Sequence, residues 1–535
     1  MNKYSSTYKL ISPDSITQFK KMDLDYWMHP EKFSEFINLL PLYQNIPEQI
    51  NQKNSNYTHR DEWYEIIKKQ YAKISISDPI HHQINRFKNN NCFAITCAHQ
   101  PCMLGGPLYW WIKIAQTIKI SRELNKLYPQ FHFVPVYFSG NEDHDLDEIN
   151  HFWLFNNKII WPTNQKGPVG KMNLVGLKEM FDDVMSYFTN NEDAKNLIGE
   201  IQQFLNVSES YGDFMMHFVH YLFGSYGLVY FNPDQIESKK ILLPVLAKEF
   251  ADRISVHYTA DKIMRLESLG YPIQAKPREI NIFYISDQYR GRIVFEGEKF
   301  ATHDQVFSWT NSELLSELNT YPERFSPNVL LRPVYQESLI PNLMFIGGGA
   351  EIAYWLQLKD LFNHCNVTFP ILKRRASVMM CSSSLQKRIA NLGLELNDFL
   401  NPTSIVEEKL LHLKSDFPHE IEQIRIDLLS GFEDLIKLSN TNFKSGNTSL
   451  IAEIKKIEHS IEKLFHRLFK EEKLKFETDV TKVTKIKEVL FPDNLLQERR
   501  ESGIQYFIQN GRSFIDDLIE NIPGEGDNFV LLLEN

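Results

Sequence analysis

The chain has 535 residues, of which 43% are hydrophobic and 24% are charged, a composition that excludes a disordered protein and predicts roughly two to four domains. The formal net charge of −10 weighs against nonspecific binding to nucleic acid or to an anionic membrane, because both need an excess of Lys and Arg. Five cysteines without a CxxC spacing exclude a disulfide framework and predict a cytoplasmic protein, and neither a signal peptide nor a transmembrane run of about 18 apolar residues is found.

A strand–helix–strand pattern follows a predicted helix at residues 61–74. The apolar run at residues 92–96 predicts a buried strand, and apolar side chains recur at helical spacing through residues 108–127. Residues 131–138 predict a second strand. Because two strands joined by one helix form a βαβ unit, the sequence predicts a parallel sheet.

The next part of the chain predicts additions to this unit. Residues 152–206 alternate weakly and contain several Gly and Pro, which indicates an inserted subdomain. Residues 227–234 predict another strand, and residues 238–254 predict the helix after it. Residues 281–295 predict an antiparallel pair of strands that turns at residues 287–291.

Two more strands are predicted nearer the middle of the chain. The first is at residues 329–333, and the second, at residues 369–378, ends in a basic loop. Between them, the glycines of GGGAE at residues 347–351 predict a turn that opens a helix.

After residue 385 the hydrophobic pattern changes to heptad spacing, which is typical of coiled coils. The apolar residues with this spacing are Leu450, Ile454, Ile457, Ile461, Leu464 and Leu468, and an earlier stretch has Ile421, Ile424, Leu428 and Leu435. The polar segment at residues 440–449 separates the two stretches. The sequence therefore predicts a helical hairpin that forms an antiparallel coiled coil and can supply a dimer surface.

The loop at residues 96–107 is the first candidate ligand site. Gly105 and Gly106 precede a predicted helix N-terminus, where backbone N–H groups can hold an anion. His99 and Gln100 add polar side chains after a strand, where α/β sheets bind ligands. The alternative is a tight turn in which the glycines only allow close packing.

Cysteine chemistry is a weaker interpretation of the same loop. Cys97 and Cys102 flank His99, so a Cys–His nucleophile is conceivable. No third member of such a group is evident, and free cysteines are commonly packing residues.

An acidic loop follows the second strand and contains five carboxylates and two imidazoles. Its polar residues are Glu142, Asp143, His144, Asp145, Asp147, Glu148, Asn150 and His151. Such crowding suits acid–base catalysis and the binding of an amine. A divalent metal site is a second interpretation, although HExxH spacing is missing, and helix capping by one or two of the acids is a third.

Two later polar groups complete the candidate site. Gly347, Gly348 and Gly349, followed by Glu351, Tyr354 and Trp355, can let a ligand approach the backbone, and the alternative is a flexible turn. Lys373, Arg374, Arg375 and Ser377 suit phosphate or carboxylate binding, and the alternative is a solvated loop. Arg332, Gln336 and Glu337 carry the same ambiguity.

Four segments resemble the bacillithiol biosynthesis cysteine-adding enzymes. They are CAHQPCMLGGPLYWWIK, PVYFSGNEDHDLDEINH, NVLLRPVYQESLIPNLMFIGGGAEIAYWLQLK and FPILKRRAS, and they run in order from about residue 94 to residue 377. The heptad region and LQER at residues 496–499 fit the same family, so the resemblance covers nearly the whole chain.

The resemblance implies an α/β fold with a Rossmann-like parallel-sheet core and connecting inserts, plus an α-helical antiparallel coiled-coil domain that pairs two subunits. We expect the core at residues 1–384 with inserted subdomains at about 152–210 and 255–325, the coiled-coil domain at residues 385–490, and a C-terminal segment at residues 491–535 that packs back on the core.

The activity that the resemblance implies is a ligase reaction, in which the carboxyl group of L-cysteine is joined to the amine of glucosaminyl-malate to give bacillithiol, a low-molecular-weight thiol. The expected partners are glucosaminyl-malate, cysteine or an activated cysteine donor, and a second subunit. The core is similar to nucleotidylyltransferases, so ATP or ADP is an expected cofactor, whereas no metal ligand is assigned and a metal requirement is left open.

The candidate catalytic residues are Glu142, Asp143, His144, Asp145 and His151, which would handle the amine and its proton. The candidate substrate- or nucleotide-binding residues are Thr96, His99, Gln100, Gly105, Gly106, Lys113, Asn150, Arg332, Gln336, Gly347, Gly348, Gly349, Glu351, Tyr354, Trp355, Lys373, Arg375 and Ser377. Two other functions stay open from the residues alone: nucleotidyl transfer to another small molecule, and a non-enzymatic coiled-coil interaction protein.

Overall fold

The computed structural model describes residues 7–72, 74, 78–189, 191–442 and 448–534. These residues form two compact units. The first unit contains Phe19–Met379, Glu498–Asn535 and the start of the chain, and the second contains Met380–Gln497 with Ser15–Gln18. Among the described residues, no helix has the length and apolarity that crossing a bilayer would need.

The strands are β1 (Thr7–Ile11), β2 (Cys92–His99), β3 (His132–Ser139), β4 (His151–Leu154), β5 (Asn157–Ile160), β6 (Val229–Phe231), β7 (Ile282–Ser286), β8 (Tyr289–Glu296), β9 (Lys299–Thr302), β10 (Ser308–Trp309), β11 (Phe325–Pro327), β12 (Asn342–Gly347), β13 (Ile371–Arg374), β14 (Val378–Cys381) and β15 (Phe529–Leu533).

The helices before residue 380 are α1 (Lys21–Met28), α2 (Ile46–Asn56), α3 (Arg60–Tyr71), α4 (Asp78–Arg86), α5 (Leu108–Leu127), α6 (Leu146–Ile149), α7 (Leu177–Val184), α8 (Glu192–Val207), α9 (Tyr211–Phe223), α10 (Ile236–Asp252), α11 (Ile254–Ser268), α12 (Asn311–Thr320), α13 (Arg332–Leu339), α14 (Gly349–Trp355) and α15 (Lys359–His364). Those after it are α16 (Ser383–Asn391), α17 (Thr403–Lys414), α18 (Phe417–Asn442), α19 (Thr448–Lys475), α20 (Glu477–Leu490), α21 (Gln497–Arg500), α22 (Gly503–Asn510) and α23 (Arg512–Asn521).

A five-stranded parallel sheet is the core of the first unit. Its strand order is β13-β12-β2-β3-β6, and each neighbouring pair is parallel. Helix α5 joins β2 to β3, which confirms the predicted βαβ unit. The two strands are almost wholly buried, as expected for a parallel sheet covered on both faces, and this burial explains their continuous apolar sequence.

An antiparallel sheet is inserted between the core strands. Its order is β10-β9-β8-β7-β11, and it carries the predicted pair at residues 281–295, with Phe283 opposite Arg292. A separate hairpin, β4–β5, directly follows the acidic loop. Both insertions are built from local antiparallel pairing, which needs only short turns.

The predicted strand at residues 329–333 is wrong. The strand is β11, which ends at Pro327, and helix α13 begins at Arg332. The Asn328 side chain accepts the backbone N–H of Leu330 and turns the chain between the two elements. Pro333 then occupies the first helical turn, where its fixed φ is favourable.

The C-terminal residues of the first unit pack on its core. Strand β15 pairs antiparallel with β1. The Ser502 hydroxyl donates to Gly106 O at 2.7 Å, and the backbone N–H of Leu108 donates to Glu501 O, also at 2.7 Å. The start of α5 is therefore held by a segment from the far end of the chain.

Two long antiparallel helices, α18 and α19, dominate the second unit. Arg425 on α18 forms an ion pair with Glu462 on α19 at 3.3 Å, and Ser415, just before α18, donates to Glu472 near the end of α19. The predicted helical hairpin is thus confirmed. Its predicted turn at residues 440–449 falls partly on residues 443–447, which lie outside the described residues.

Candidate active site

A cavity of about 670 Å³ lies at the carboxyl ends of the central strands, in the first unit. His99 at the end of β2, Gly140 after β3 and Gly348 after β12 all line it. The chain forms β3 and β6 on one side of β2 and later forms β12 and β13 on the other side. The ends of β2 and β12 are therefore the switch point where open α/β sheets bind ligands.

The structure brings together eleven of the predicted site residues along this cavity: His99, Gln100, Lys113, Glu142, Asp143, Arg332, Gly348, Gly349, Glu351, Tyr354 and Arg375. The others lie outside its lining: Thr96, Gly105, Gly106, His144, Asp145, Asn150, His151, Gln336, Gly347, Trp355, Lys373 and Ser377.

The glycine pair before α5 forms a packing turn. Gly105 and Gly106 have φ values of 79° and 52°, which favour glycine. A Cβ on Gly105 would lie 2.7 Å from Trp111 Nε1, and one on Gly106 would lie 2.5 Å from Cys102 Cβ. The backbone N–H of Gly106 donates to Met103 O. This geometry favours the alternative interpretation, in which the glycines allow a tight, closely packed turn.

A partly buried ion pair between Lys113 and Glu351 lines the cavity. Lys113 is 1% exposed and donates to Glu351 Oε2 at 2.5 Å and to Ala98 O at 2.9 Å. Glu351 also accepts the backbone N–H of Gly348 at 2.8 Å. Burial raises the pKa of Glu351, but the Lys113 charge and these hydrogen bonds outweigh burial, so its pKa is lowered and it is ionised at neutral pH.

His99 is an uncharged base beside this pair. Burial, helped by the positive charge of Lys113, lowers the pKa of His99 to about 4. Its Nδ1 lies 3.2 Å from Gln100 O. Since a carbonyl only accepts, a proton on Nδ1 would make this contact a hydrogen bond and would leave the lone pair on Nε2. His99 therefore has the protonation state that a general base needs at neutral pH.

The two cysteines near His99 are not poised nucleophiles. Cys102 Sγ lies 3.6 Å from His99 Nδ1, and Cys97 is fully buried in β2. Burial raises the pKa of each thiol to about 12. Both are therefore thiols rather than thiolates at neutral pH, and the packing interpretation of these cysteines is favoured.

Glu142 is part of a buried ion pair as well as of the cavity wall. The Lys239 ammonium contacts Glu142 Oε1 and donates to Phe325 O, and the Ser326 hydroxyl donates to Glu142 Oε2 at 2.8 Å. Lys239 has no exposed surface. Burial and the neighbouring Glu142 charge raise the pKa of Asp234 in the same cluster.

Asp143 is a half-buried carboxylate of the acidic loop that accepts several hydrogen bonds. Gln100 Nε2 donates to Asp143 Oδ2 and the backbone N–H of His144 donates to Oδ1, each at 2.7 Å. Burial raises the pKa of Asp143, but the His144 side chain, the charge of Arg290 and the hydrogen bond from Gln100 outweigh it, and the pKa is held below its usual range. This carboxylate can accept N–H groups from an amine.

The rest of the acidic loop turns away from the cavity lining. Asp145 is the exposed residue before α6, and His151 begins β4, where burial lowers its pKa. Glu148 accepts from Gln100 Nε2 at 3.0 Å. Across the described parts of the chain, no group of three or more His, Cys, Asp and Glu is arranged to hold a metal ion.

The triple-glycine segment lines the cavity and also packs closely against α1. Gly348 and Gly349 line the cavity, and a Cβ on Gly349 would lie 2.2 Å from Asp23 Cγ. Trp355 is buried against Phe345, with ring centroids 4.5 Å apart, and acts in the core.

Arg332 lines the cavity at the start of α13 and reaches Tyr354 on α14. Its Nη2 donates to Tyr354 Oη at 2.9 Å, and its Nη1 donates to Gln336 Oε1 at 3.0 Å. Both acceptors are uncharged side chains, so Arg332 keeps its positive charge available to a ligand that enters the cavity.

The predicted basic loop at residues 373–375 is wrong. Lys373 and Arg374 lie within β13, and all three cations of the triplet are buried and paired. Arg374 pairs with Asp23 at 3.0 Å, and Arg375 pairs with Glu498 at 2.7 Å. Lys373 donates to Gly526 O at 2.9 Å. The local sequence shows only the three basic residues, because their partners Asp23 and Glu498 are far away along the chain. The triplet therefore has the pattern of a basic loop although it is buried.

The cavity lining has a surplus of positive charge, and only Lys113, Arg332 and Arg375 among its cations were predicted site residues. Eight cations line it against three carboxylates, although the whole chain has a net charge of −10. Lys113, Arg290 and Arg375 face carboxylates. The remaining cations are Lys276, Arg278, Arg292, Arg332 and Arg499, and no described carboxylate is in ion-pair contact with them. The cavity is therefore built for a ligand with several negative charges.

Acid is expected to destabilise the fold through His99. A histidine binds a proton near pH 6.5 when unfolded, but folded His99 binds one only near pH 4. Between these values the unfolded state binds more protons, so stability falls as the pH is lowered through this window. The unfolding temperature of the native chain should therefore fall more between pH 7 and pH 4.5 than that of H99Q, and equal falls would contradict the pKa of His99.

Comparison with known proteins identifies the family. The family model described as bacillithiol biosynthesis BshC, N-terminal Rossmann-like domain, matches residues 10–376, and the model of the BshC C-terminal coiled-coil domain matches residues 378–533. These descriptions confirm the predicted Rossmann-like core and coiled-coil domain.

Three curated relatives share the name "Putative cysteine ligase BshC". The protein of Flavobacterium johnsoniae is 33% identical over 524 residues, which are 98% of this chain and 99% of the relative. That of Christiangramia forsetii is 32% identical over 98% of each chain, and that of Bacillus cereus strain AH187 is 26% identical over 86% of this chain and 88% of the relative. This chain belongs to the bacillithiol biosynthesis BshC family.

Proposed function

We propose that this chain is a cysteine ligase that forms an amide between the carboxyl group of L-cysteine and the amine of glucosaminyl-malate. Family membership supports the cysteine ligase activity. The observation that carries the choice of co-substrate is the positive surplus of the cavity, because glucosaminyl-malate has two carboxylates. Cysteine alone, with one carboxylate, would not need so many cations.

Amide formation requires an unprotonated amine next to an activated acyl carbon. In our proposal the Asp143 carboxylate accepts N–H groups of the amino sugar, and His99 Nε2 takes the proton that the nitrogen loses as the C–N bond forms. As the amide forms, the bond between the acyl carbon of the activated cysteine and its activating group breaks, and that group leaves. His99 is uncharged and Asp143 ionised at neutral pH, as these two roles need.

A nucleotide, ATP or ADP, is the proposed cofactor, since it supplies a leaving group better than hydroxide for the cysteine carboxyl group. The residues present fit its phosphates. Arg332 and Arg499 are lining cations without a carboxylate partner among the described residues. Arg332 is oriented by its hydrogen bond to Tyr354, and Arg499 lines the same cavity. These two side chains would hold anionic groups of the activated donor.

The coiled-coil helices support a proposed homodimer. Ile421 and Ile454 are buried within the second unit, whereas Leu435 on α18 and Leu464 on α19 are 52% and 54% exposed. Apolar residues at heptad spacing that stay exposed in one copy are typical of a surface that a second copy covers.

Charge on this apolar surface is expected to separate the two copies. The native chain should have twice its 62.8 kDa mass by light scattering, and the double variant L435E/L464E should have the single mass. The substitution L127E, at an exposed leucine of α5, is the control and should leave the dimer intact. A native chain that is monomeric at micromolar concentration would contradict the proposal.

We place the enzyme in the cytoplasm, where its five free cysteines would stay reduced.

The function is tested in cells by deleting the gene and measuring small thiols. Glucosaminyl-malate should accumulate and the cysteine-containing thiol should disappear, and both should revert on re-expression of the chain. Unchanged levels of both compounds would reject the proposed function.

A further inference from the structure

The segment that contains the inserted antiparallel sheet gives the cavity a second charged wall, which is separate from the residues that follow the core strands. We name it the insert wall: Lys276, Arg278, Arg290 and Arg292. All four residues line the cavity and belong to the segment around β7 and β8. Three of them, Lys276, Arg278 and Arg292, have no carboxylate in ion-pair contact among the described residues.

Arg290 is fixed in place but not fully satisfied. Its guanidinium stacks on Phe283 at 3.9 Å from the ring centroid, and Nη1 donates to His144 Nδ1 at 2.7 Å. Its side chain is 9% exposed, and Nη1 lies 3.9 Å from Asp143 Oδ1. The buried Nε–H has no acceptor among the described residues. An unused donor on a rigidly held guanidinium points to a missing acceptor, which a bound anion would supply.

Arg292 stands on the same face of β8 as Arg290. Side chains two residues apart on a strand point the same way and are separated by roughly 7 Å along it. The register places Arg292 opposite Phe283, the ring on which Arg290 stacks. The two guanidinium groups are therefore neighbours on one surface, and Arg292 has no side-chain hydrogen bond in the described structure.

Arg278 is brought to the same wall by its backbone. Its N–H donates to Asn281 Oδ1 at 3.0 Å, and Asn281 Nδ2 donates back to Arg278 O at 2.6 Å. Asn281 is anchored in turn by Glu249, whose carboxylate accepts the Asn281 backbone N–H and the Asn281 Nδ2. The loop is held firmly although the Arg278 side chain is exposed.

We propose that the insert wall is a dicarboxylate subsite that binds the malyl group of glucosaminyl-malate and selects malyl glycosides over uncharged ones. The assignment rests on the proposed function. Two carboxylates on one short carbon chain match two neighbouring guanidinium groups, and Arg binds carboxylates in a planar, bidentate geometry. The amine-handling groups, His99 and Asp143, follow the core strands, and Asp143 lies 3.9 Å from Arg290 of the insert wall. The reacting amine and the malyl group, which are on adjacent carbons of the sugar, would therefore bind side by side.

The test uses the full-length chain and the substitutions R278M and R292M. Each removes one charge and keeps most of the side-chain length, and K299M, at an exposed lysine of β9 outside the cavity, is the matched control. The KM for glucosaminyl-malate should rise by about 10- to 100-fold in each variant, the effect of losing hydrogen bonds to a charged group. The kcat and the KM for cysteine should change by less than about threefold, and R292K should recover part of the loss.

A second substrate isolates the malyl group. The methyl glycoside of glucosamine lacks the two carboxylates, so the preference for glucosaminyl-malate over it should fall by a similar factor in R278M and R292M but not in K299M. Equal preference in the native chain and both variants would overturn the proposed subsite. Thermal unfolding of each variant at the native temperature confirms that the comparison is made on folded protein.

Binding of L-malate alone separates this proposal from the proposed function. Titration of the native chain with malate, without cysteine or nucleotide, should show binding that R278M and R292M weaken by about 10-fold or more. That result in a chain that forms no amide would uphold the subsite and reject the ligase function. Amide formation by a chain whose malate binding is the same in all variants would uphold the ligase and overturn the subsite.

Discussion

Replacing His99 by glutamine is expected to lower kcat for amide formation by about 10²- to 10⁴-fold, the usual contribution of a general base. Glutamine keeps a polar side chain of similar reach but cannot take a proton. Because His99 is uncharged, the substitution removes no charge from the cavity, so the KM for glucosaminyl-malate should change little. Steady-state kinetics at neutral pH measure both quantities.

The control for this substitution is H303Q, at an exposed histidine of the insertion that does not line the cavity. H303Q should keep full activity. If H99Q retains more than about a tenth of the native kcat, His99 is not the base. If H99Q instead raises the KM and leaves kcat unchanged, His99 contributes to binding only.

Replacing Lys239 by methionine is expected to destabilise the first unit by about 3–5 kcal/mol, because it leaves the buried Glu142 carboxylate without its partner. Lys239 is fully buried and contacts Glu142 Oε1. Methionine has a similar length and no charge, so lost electrostatics rather than a cavity would dominate. Chemical denaturation followed by tryptophan fluorescence measures the change.

Measuring E142Q, K239M and the double variant in a double-mutant cycle separates pairing from packing in this cluster. Adding E142Q to K239M should recover at least half of the lost stability, since the buried charge is then removed. K240M changes the next residue of α10, which is exposed, and should alter stability by less than about 0.5 kcal/mol. A double variant no more stable than K239M would mean that Glu142 is held by other contacts.

The core of the fold is predictable from local sequence because parallel strands are buried on both faces. Strands β2 and β3 therefore appear as unbroken apolar runs, and α5 spans the predicted residues 108–127 without a shift. The heptads of α18 and α19 are similarly visible, since their spacing repeats over many turns. A strand was wrongly predicted at residues 329–333 because their apolar Val–Leu–Leu run belongs to a turn that Asn328 organises.

The part of the candidate site that lies at the ends of the core strands was predictable from the local sequence. His99, Gln100, Glu142 and Asp143 come directly after β2 and β3, and the structure places all four along one cavity. The insert wall could not be found in this way. Its residues reach the cavity through the tertiary placement of an inserted sheet, and the only local signal was the alternation of Arg290 and Arg292 in a predicted hairpin.

Long-range pairing explains the remaining differences. The triplet at residues 373–375 has the appearance of a free basic cluster, but Asp23 and Glu498 neutralise two of its members from opposite ends of the chain. Gly105 and Gly106 have the appearance of an anion loop, but Trp111 and Cys102 occupy the space that a side chain would need. In both cases the deciding partner is absent from the local sequence.

The most direct test of the proposed ligase activity is to incubate the purified chain with glucosaminyl-malate, L-cysteine and ATP and to analyse the thiols by mass spectrometry after alkylation. We expect a product with the mass of the two substrates less one water, formed by the native chain and reduced by about 10²-fold or more in H99Q. Extract from cells lacking the chain, added to supply an activated cysteine donor, should give the same product. No such product under either condition, or a nucleotide conjugate of glucosaminyl-malate in its place, would contradict the proposed ligase.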